Sequence, residues 1–477
     1  MKLTTLSIVL LLTPLFSACQ SNRIFKAADY QAPQLHSPTE YRYAGVKWVP
    51  MSTSHHNADV AQSEWWLIYQ DPILNDLMQQ LNRDNLSLQQ AAARYRQAQG
   101  LLQQQQANRL PSLDAHGSSS RGGVKQQSDR SQFDLGLKAS WVPDLWGRVA
   151  KAIEGQQANL QASAADLAAV KLNQQLLAAE SYWALRSLDQ QLVLLAQTQS
   201  SFQRAYQILN DQFQAGMIAR ADVIQAETQL KQIGLQQLSR RRDRALQENI
   251  LAALLGQTVN QFTLKSAAFN AQPPQIATQI PSRLLSQRPD VIQAERELAA
   301  SHAALGLAQT AWLPDISIGL DASINHNIFN TLLQSPHYLW SMGLEVAGNI
   351  YDGAKRRADI MQAQAVYEQR LAAYKMRVLN GWKEVEDALL QAESFRLEAI
   401  QQQQILALAM ENQAVVTRRY QAGMISYLEV VVAQNQRLEA EQNTVQRQQR
   451  QMQNSVQLIA ALGGPLAPSP NVGEGGG

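Results

Sequence analysis

The sequence predicts a mainly α-helical chain that also supplies four strands to a membrane β-barrel, laid out as two tandem copies of one plan. Three observations lead there. The pentapeptide QAGMI stands at Gln214–Ile218 and again at Gln421–Ile425, 207 positions later. Proline is absent between Asp144 and Gly256 and between Ser341 and Gly464, so nothing interrupts a very long helix in either stretch. Segments of apolar–polar alternation precede both stretches.

The first residues read as a targeting segment. Lys2 gives a positive start, and Leu6 to Phe16 is an apolar run of signal-peptide length, too short to span a bilayer. It ends in Phe16-Ser17-Ala18-Cys19, which looks like a bacterial lipobox. Residues 1–18 are therefore expected to be a lipoprotein signal peptide, and Cys19 the acylated residue. Cys19 is the single cysteine of the chain, which excludes an internal disulfide and a thiolate metal cluster. Gln20 stands where an aspartate would retain a lipoprotein in the inner membrane, so the outer membrane is favoured. Residues 19–72 form an irregular, lipidated N-terminal segment.

The first copy is expected over 73–256 and the second over 282–463, with a connector at 257–281 and a disordered tail at 464–477. When Gly216 is aligned with Gly423, Asp222 meets Glu429, Ala226 meets Ala433, Gln229 meets Gln436 and Gly256 meets Gly463. Upstream, "NRLPSLDA" (108–115) parallels "AWLPDISI" (311–318), and "LWGR" parallels "YDGAKR". Repetition at this period indicates a duplicated unit. Each unit reads helix, two strands, very long helix, glycine turn, shorter helix. In the second, Tyr367, Leu371, Tyr374, Val378, Trp382, Val385 and Leu389 mark one face of a helix. A helix from Gly353 to Tyr420 would be about 100 Å long, the length of a coiled-coil rod or tube. Pro273, Pro274, Pro281 and Pro289 punctuate Gln257–Asp290, through the connector and into the start of the second copy.

Strands are expected at about 112–120, 132–142, 313–324 and 338–347. Phe133, Leu135, Leu137, Ala139 and Trp141 alternate with Asp134, Gly136, Lys138 and Ser140. Ile316, Ile318, Leu320, Ala322 and Ile324 alternate with Asp315, Ser317, Gly319, Asp321 and Ser323. Trp340, Met342, Leu344 and Val346 alternate with Ser341, Gly343 and Glu345, and Leu113 and Ala115 flank Asp114 in a weaker strand. Strands of this length, tilted, can span a membrane. Lipid cannot satisfy an open sheet edge, so a spanning sheet must close. Four strands are too few. Two copies would give eight strands and a filled interior, three would give twelve and a lumen. Asp134, Lys138, Asp315, Asp321 and Glu345 fit the lining of a water-filled pore.

Other chemistry is not visible. A net charge of +2 gives no electrostatic footprint for nucleic acid. There is no P-loop, metal-ligand spacing or nucleophile elbow, so neither an enzyme nor a cofactor is expected. His55 and His56 and the "RRRDR" run (240–244) read as solvated.

Taken together, "SAC" (17–19), "WWLIYQDPILNDLMQQLNRDNLSLQQAAAR" (65–94), "WVPDLWGR" (141–148), "QRPDVIQAERELAASHAALGLAQTAWLPDISI" (287–318), "IYDGAKRRA" (350–358) and the two glycine turns resemble the TolC-like outer-membrane factor family, in its lipoprotein branch serving tripartite efflux pumps. The resemblance covers nearly the whole chain. It implies a homotrimer with a twelve-stranded outer-membrane barrel, an α-helical barrel crossing the periplasm and an equatorial region. The partners it implies are a periplasmic adaptor and an inner-membrane transporter of RND type, with energy supplied by the transporter. It places both QAGMI turns at the periplasmic tip, where Gly216, Met217, Ile218, Gly423, Met424 and Ile425 would receive the adaptor. Asp222, Tyr420 and Glu429 match gating positions, and a tyrosine–carboxylate hydrogen bond would hold the tip shut. Val432 stands where the family can carry a further acid. The function implied is a passive duct exporting drugs or other small toxic compounds. The alternative is a periplasmic coiled-coil scaffold lipoprotein with no pore, which has no need of the alternating strands.

Overall fold

A computed structural model of the chain describes residues 29–33, 64–123, 130–274, 288–326 and 338–464. The signal segment, Cys19, most of 19–72 including His55 and His56, and the tail past Gly464 lie outside the described residues. So do parts of both strand loops and of the connector.

A single-turn 3-10 helix, Trp65–Tyr69, precedes α1 (Pro72–Asp84) and α2 (Leu86–Ala107). Strands β1 (Ser112–Gly122) and β2 (Arg130–Trp141) follow, then α3 (Arg148–Gln214) and α4 (Arg220–Leu254). The second copy runs α5 (Pro289–Gln309), β3 (Asp315–His326), β4 (Tyr338–Ala347), α6 (Lys355–Gln421) and α7 (Tyr427–Ala461). α3 and α6 each contain 67 residues, about 100 Å of helix, while α4 and α7 each contain 35.

Contacts divide the described residues into two compact units, and the division does not follow the repeat boundary. Residues 29–33, 94–164 and 293–375 form one, and the remaining described residues form the other. Each unit takes a share of both repeats, because elements of one repeat pack on their counterparts in the other.

The first unit holds an antiparallel sheet in the order β1-β2-β3-β4. Its central seam joins the repeats, with Leu137 opposite Ala322 and Ala139 opposite Leu320. The register sorts the alternation into rows. Leu113, Ala139, Leu320 and Met342 share one face, as do Ala115, Leu137, Ala322 and Trp340. Trp340 and Met342 are 79% and 71% exposed within one protomer. β1 and β4 are both edges. At the base of the sheet, Arg148 donates to the carbonyls of Thr310 and Leu313, Trp146 to that of Pro314 at 2.7 Å, and Arg356 stacks 4.4 Å from the Trp312 ring. Both strand-to-helix junctions thus grip the segment that leads into β3.

The second unit has an aromatic-rich core that includes Trp65, Trp66, Leu74, Met78, Tyr182, Trp183, Phe262 and Phe269. Asp71 caps α1 by accepting from Ile73 N–H (2.9 Å) and Leu74 N–H (3.1 Å), and its other oxygen accepts from Tyr182 (2.6 Å). Each repeat closes on itself here in the same way. Asn85, before α2, donates to Leu254 O at 2.7 Å, and Arg288, before α5, donates to Ala461 O at 3.0 Å. Leu254 and Ala461 are equivalent positions, so different side chains make the same closure. Gly256 and Gly463, just beyond, have φ of +67° and +95°. A Cβ at Gly256 would stand 2.7 Å from the Asp84 carbonyl oxygen.

The RRRDR run is not uniformly solvated. Arg244 meets buried Asp189 at 2.7 Å and Glu248 at 3.0 Å, and Arg186 meets Asp189 at 3.0 Å. The two arginines also donate to Leu264 O and Lys265 O. Buried charges must be paired, and here the pairing fastens the start of the connector to α3 and α4.

Gly136 supplies a stability prediction. A Cβ there would lie 2.6 Å from the His116 ring and 2.8 Å from Ser323 Cβ, whereas Gly319 on the same face has open space. Gly136→Val is expected to lower the thermal midpoint of the folded protein and Gly319→Val to change it little. Equal midpoints by circular dichroism would contradict this packing.

Candidate functional site

The two QAGMI turns end α3 and α6 with the same hydrogen-bond pattern. Gly216 N–H donates to Phe213 O (2.9 Å) and Met217 N–H to Gln212 O (2.8 Å). Gly423 N–H donates to Tyr420 O (2.8 Å) and Met424 N–H to Arg419 O (3.0 Å). This is the Schellman termination, which needs a left-handed residue after the helix. Gly216 and Gly423 supply it with φ of +74° and +73°. Met217 and Met424 project outward, 71% and 69% exposed, whereas Ile218 and Ile425 are half-buried.

Behind the turns, four helices share one apolar cluster. Leu209 of α3, Val223 and Ala226 of α4, and Tyr427, Val430 and Val431 of α7 are buried in it. Ile218, Val416 and Tyr420 pack around them. The two turns are thus one body. Tyr420 and Tyr427 meet edge to face, with centroids 5.7 Å apart at 60°.

Of the residues expected at the gate, Tyr420 and Asp222 are near enough for the charge of one to act on the other, but no hydrogen bond joins them. The Tyr420–Asp222 hydrogen bond is not formed, because the Tyr420 ring is committed to the apolar cluster and to Tyr427. Burial, and then the charge of Asp222, raise the Tyr420 phenol above its ordinary value, so it stays protonated. Asp222 and Glu429 sit in the first turns of α4 and α7, where a carboxylate complements the helix dipole. The helix caps Ala219 and Ser426 make no side-chain capping bond. Glu429 is exposed and Asp222 half-buried. The sequence reading missed Tyr427. Its hydroxyl is buried without a hydrogen-bond partner, an arrangement costing about 1–3 kcal/mol, and burial pushes its phenol up to about 12. The spacing of Tyr427, Val430 and Val431 carried the signal.

On the polar face of the sheet, Lys138 stands opposite Asp114 on one side and Asp321 on the other. Opposite charges so placed contribute about 0.2–1 kcal/mol each. Asp134 meets His116 Nε2 at 3.2 Å, and Glu345 stands opposite Ser317. Asp315, at the base of β3, is ion-paired with Arg148 and so belongs to the junction described above. Cys19 lies outside the described residues.

A Cβ at Gly216 or Gly423 would meet nothing within 4 Å, so the glycine requirement is one of backbone conformation. Forcing a branched residue into the left-handed region costs about 1–2 kcal/mol, which asparagine largely avoids. Gly216→Val is therefore expected to speed hydrogen exchange of the Met217 amide about tenfold, with Gly216→Asn near wild type. Identical exchange in both variants would contradict the assignment.

The family of outer membrane efflux proteins matches residues 77–257 and 280–464. Among curated relatives, the cation efflux system protein CusC of Escherichia coli O6:H1 is 27% identical over 92% of this chain and 95% of its own. The pyoverdine export outer membrane protein OpmQ of Pseudomonas putida is 29% identical over 84% and 87%. The solved CmeC outer membrane channel of Campylobacter jejuni superimposes with a TM-score of 0.83 at 20% identity, over 93% of this chain and 96% of that one. The fold is therefore that of outer-membrane channels, and the match across both repeats shows that this chain belongs to the outer membrane efflux protein family.

Proposed function

We propose that three copies of this chain form one passive duct through the outer membrane, anchored by acylated Cys19 and continued by a periplasmic helical barrel. As a family member the chain is an outer-membrane efflux channel component. The single observation that carries the finer reading is the four-stranded sheet, with one apolar face, one polar face and two unpaired edges. Such an edge is untenable in lipid, and twelve strands close with a lumen where eight do not. Polar rows then face the lumen and Trp340, Met342 and Leu344 face lipid.

On this reading a periplasmic adaptor docks at the turns, with Met217 and Met424 as its apolar contacts. An RND-type inner-membrane transporter supplies the energy. Tyr420, Asp222 and Glu429 act at the constriction, and opening repacks the cluster around Tyr427. Two relatives of similar identity are named for different cargoes, cation efflux and pyoverdine export. This supports a permissive duct whose cargo, drugs or other small toxic compounds, is chosen by the transporter.

Planar-bilayer recording of the purified protein tests the proposal. A conducting channel is expected, and its absence would refute the duct. The described polar face sets Asp114, Asp134, Asp321 and Glu345 against Lys138, so the reversal potential in a KCl gradient should show a cation preference. Anion preference would mean that another face lines the lumen. Tyr420→Ala, which takes the ring out of the cluster, should raise resting conductance, and an unchanged value would remove Tyr420 from the gate.

A further inference from the structure

The second unit holds a polar cleft of about 320 Å³ where α3, α4 and α7 meet. Ala184, Leu188 and Gln191 of α3 line it, with Arg240 and Gln247 of α4, and Arg450 and three glutamines of α7. Gln191 is 2% exposed. Its amide nitrogen donates to Ser187 Oγ at 3.1 Å, and its Oε1 is buried with no hydrogen-bond partner. A buried polar atom left unpaired is costly. Among the described residues, the side chains of Gln247 and Arg450 also have no hydrogen-bond or ion-pair partner. Arg240 has a long pair, 3.5 Å, with Asp243, which Arg242 holds more closely at 2.8 Å.

The second copy carries an acid where the first has none. At the offset of 207, Ser187 corresponds to Ser394, Gln191 to Glu398 and Arg240 to Arg447. Ser394 donates to Glu398 at 3.1 Å, and Arg447 pairs with the same carboxylate. Gln247 corresponds to Asn454, which is buried and donates to Ala388 O at 3.1 Å. Ala184 and Leu188 correspond to the larger Gln391 and Phe395. The second copy thus satisfies its arginine and its amide internally and has bulkier residues at the other two positions. The first copy keeps the serine and the arginine, replaces the carboxylate by a neutral amide, and leaves open space.

We propose that the cleft binds a small hydroxylated carboxylate anion, whose carboxylate stands to Arg240 as Glu398 stands to Arg447. Arg240 and Arg450 supply positive charge, and guanidinium groups suit the two oxygens of a carboxylate. Among the described residues no carboxylate lines the cleft, so nothing there repels an anion. A hydroxyl of the ligand donates to Gln191 Oε1, and the other glutamines offer both donors and acceptors to the remaining oxygens. The cleft is built from helices of one protomer, so the site stands whether or not three copies form a duct.

Isothermal titration of the full-length protein in detergent at neutral pH tests the proposal. The probes are citrate and tricarballylate, which is citrate without its hydroxyl. Citrate is expected to bind saturably and about tenfold more tightly than tricarballylate, because a site built around a hydroxyl rejects the analogue that lacks it. Gln191→Glu, which restores the acid of the second copy, should weaken citrate about tenfold or more, and so should Arg450→Gln. Arg450 is exposed, so its replacement tests the cleft without disturbing the core. Thermal midpoints near wild type would separate lost binding from lost folding. Absence of citrate binding, or binding unchanged in Arg450→Gln, would overturn the site. Equal affinity for citrate and tricarballylate would overturn the hydroxyl contact to Gln191.

Discussion

The rest of the structure depends on the two open edges of a four-stranded sheet. Inside one chain, β1 and β4 each present a row of unpaired backbone groups. Water tolerates such a row and hydrocarbon does not. An apolar face on the same sheet puts it in hydrocarbon, so the edges must meet those of further copies. The alternation of side chains, the exposed Trp340 and Met342 of a lone protomer, and the polar rows all follow from that closure.

A second constraint acts where helices end. Each of the two long helices stops at a left-handed glycine, and so do α4 and α7. Gly216 and Gly423 turn the chain in open space, while Gly256 and Gly463 press against the start of their own repeat. The same backbone device therefore serves two ends. At one it leaves methionines projecting, and at the other it packs helix against helix. Asn85 and Arg288 show that duplication preserved the closure while the chemistry drifted, one using a carboxamide and the other a guanidinium.

Much of this was legible from residues. Period-2 alternation gave the strands, with β1 extending two residues beyond expectation to Gly122, since serines and glycine alternate too weakly to mark an end. The doubled QAGMI gave the turns and their glycine requirement. Contacts between distant segments were less legible. Arg244 reads as one arginine among four, and only the fold brings Asp189 to it. The charge of Asp222 acts on Tyr420. The direct bond between them failed because an apolar cluster of four helices competes for the ring, and no single helix pattern shows that cluster. Asp315 alternates like a lumen residue, yet Arg148 claims it from the neighbouring helix start.

The central seam of the sheet also bears on how the chain reaches its final form. Trp141 pairs with Ile318, so β2 finds its partner only across α3, α4, the connector and α5. Closing so long a loop carries an entropic cost that local helix formation does not. The individual helices and the hairpins β1–β2 and β3–β4 close over short stretches of chain, whereas the central seam needs both halves. Pairing across the seam is therefore the entropically costliest closure in the sheet, and it is the step that turns two separate amphipathic hairpins into one apolar surface.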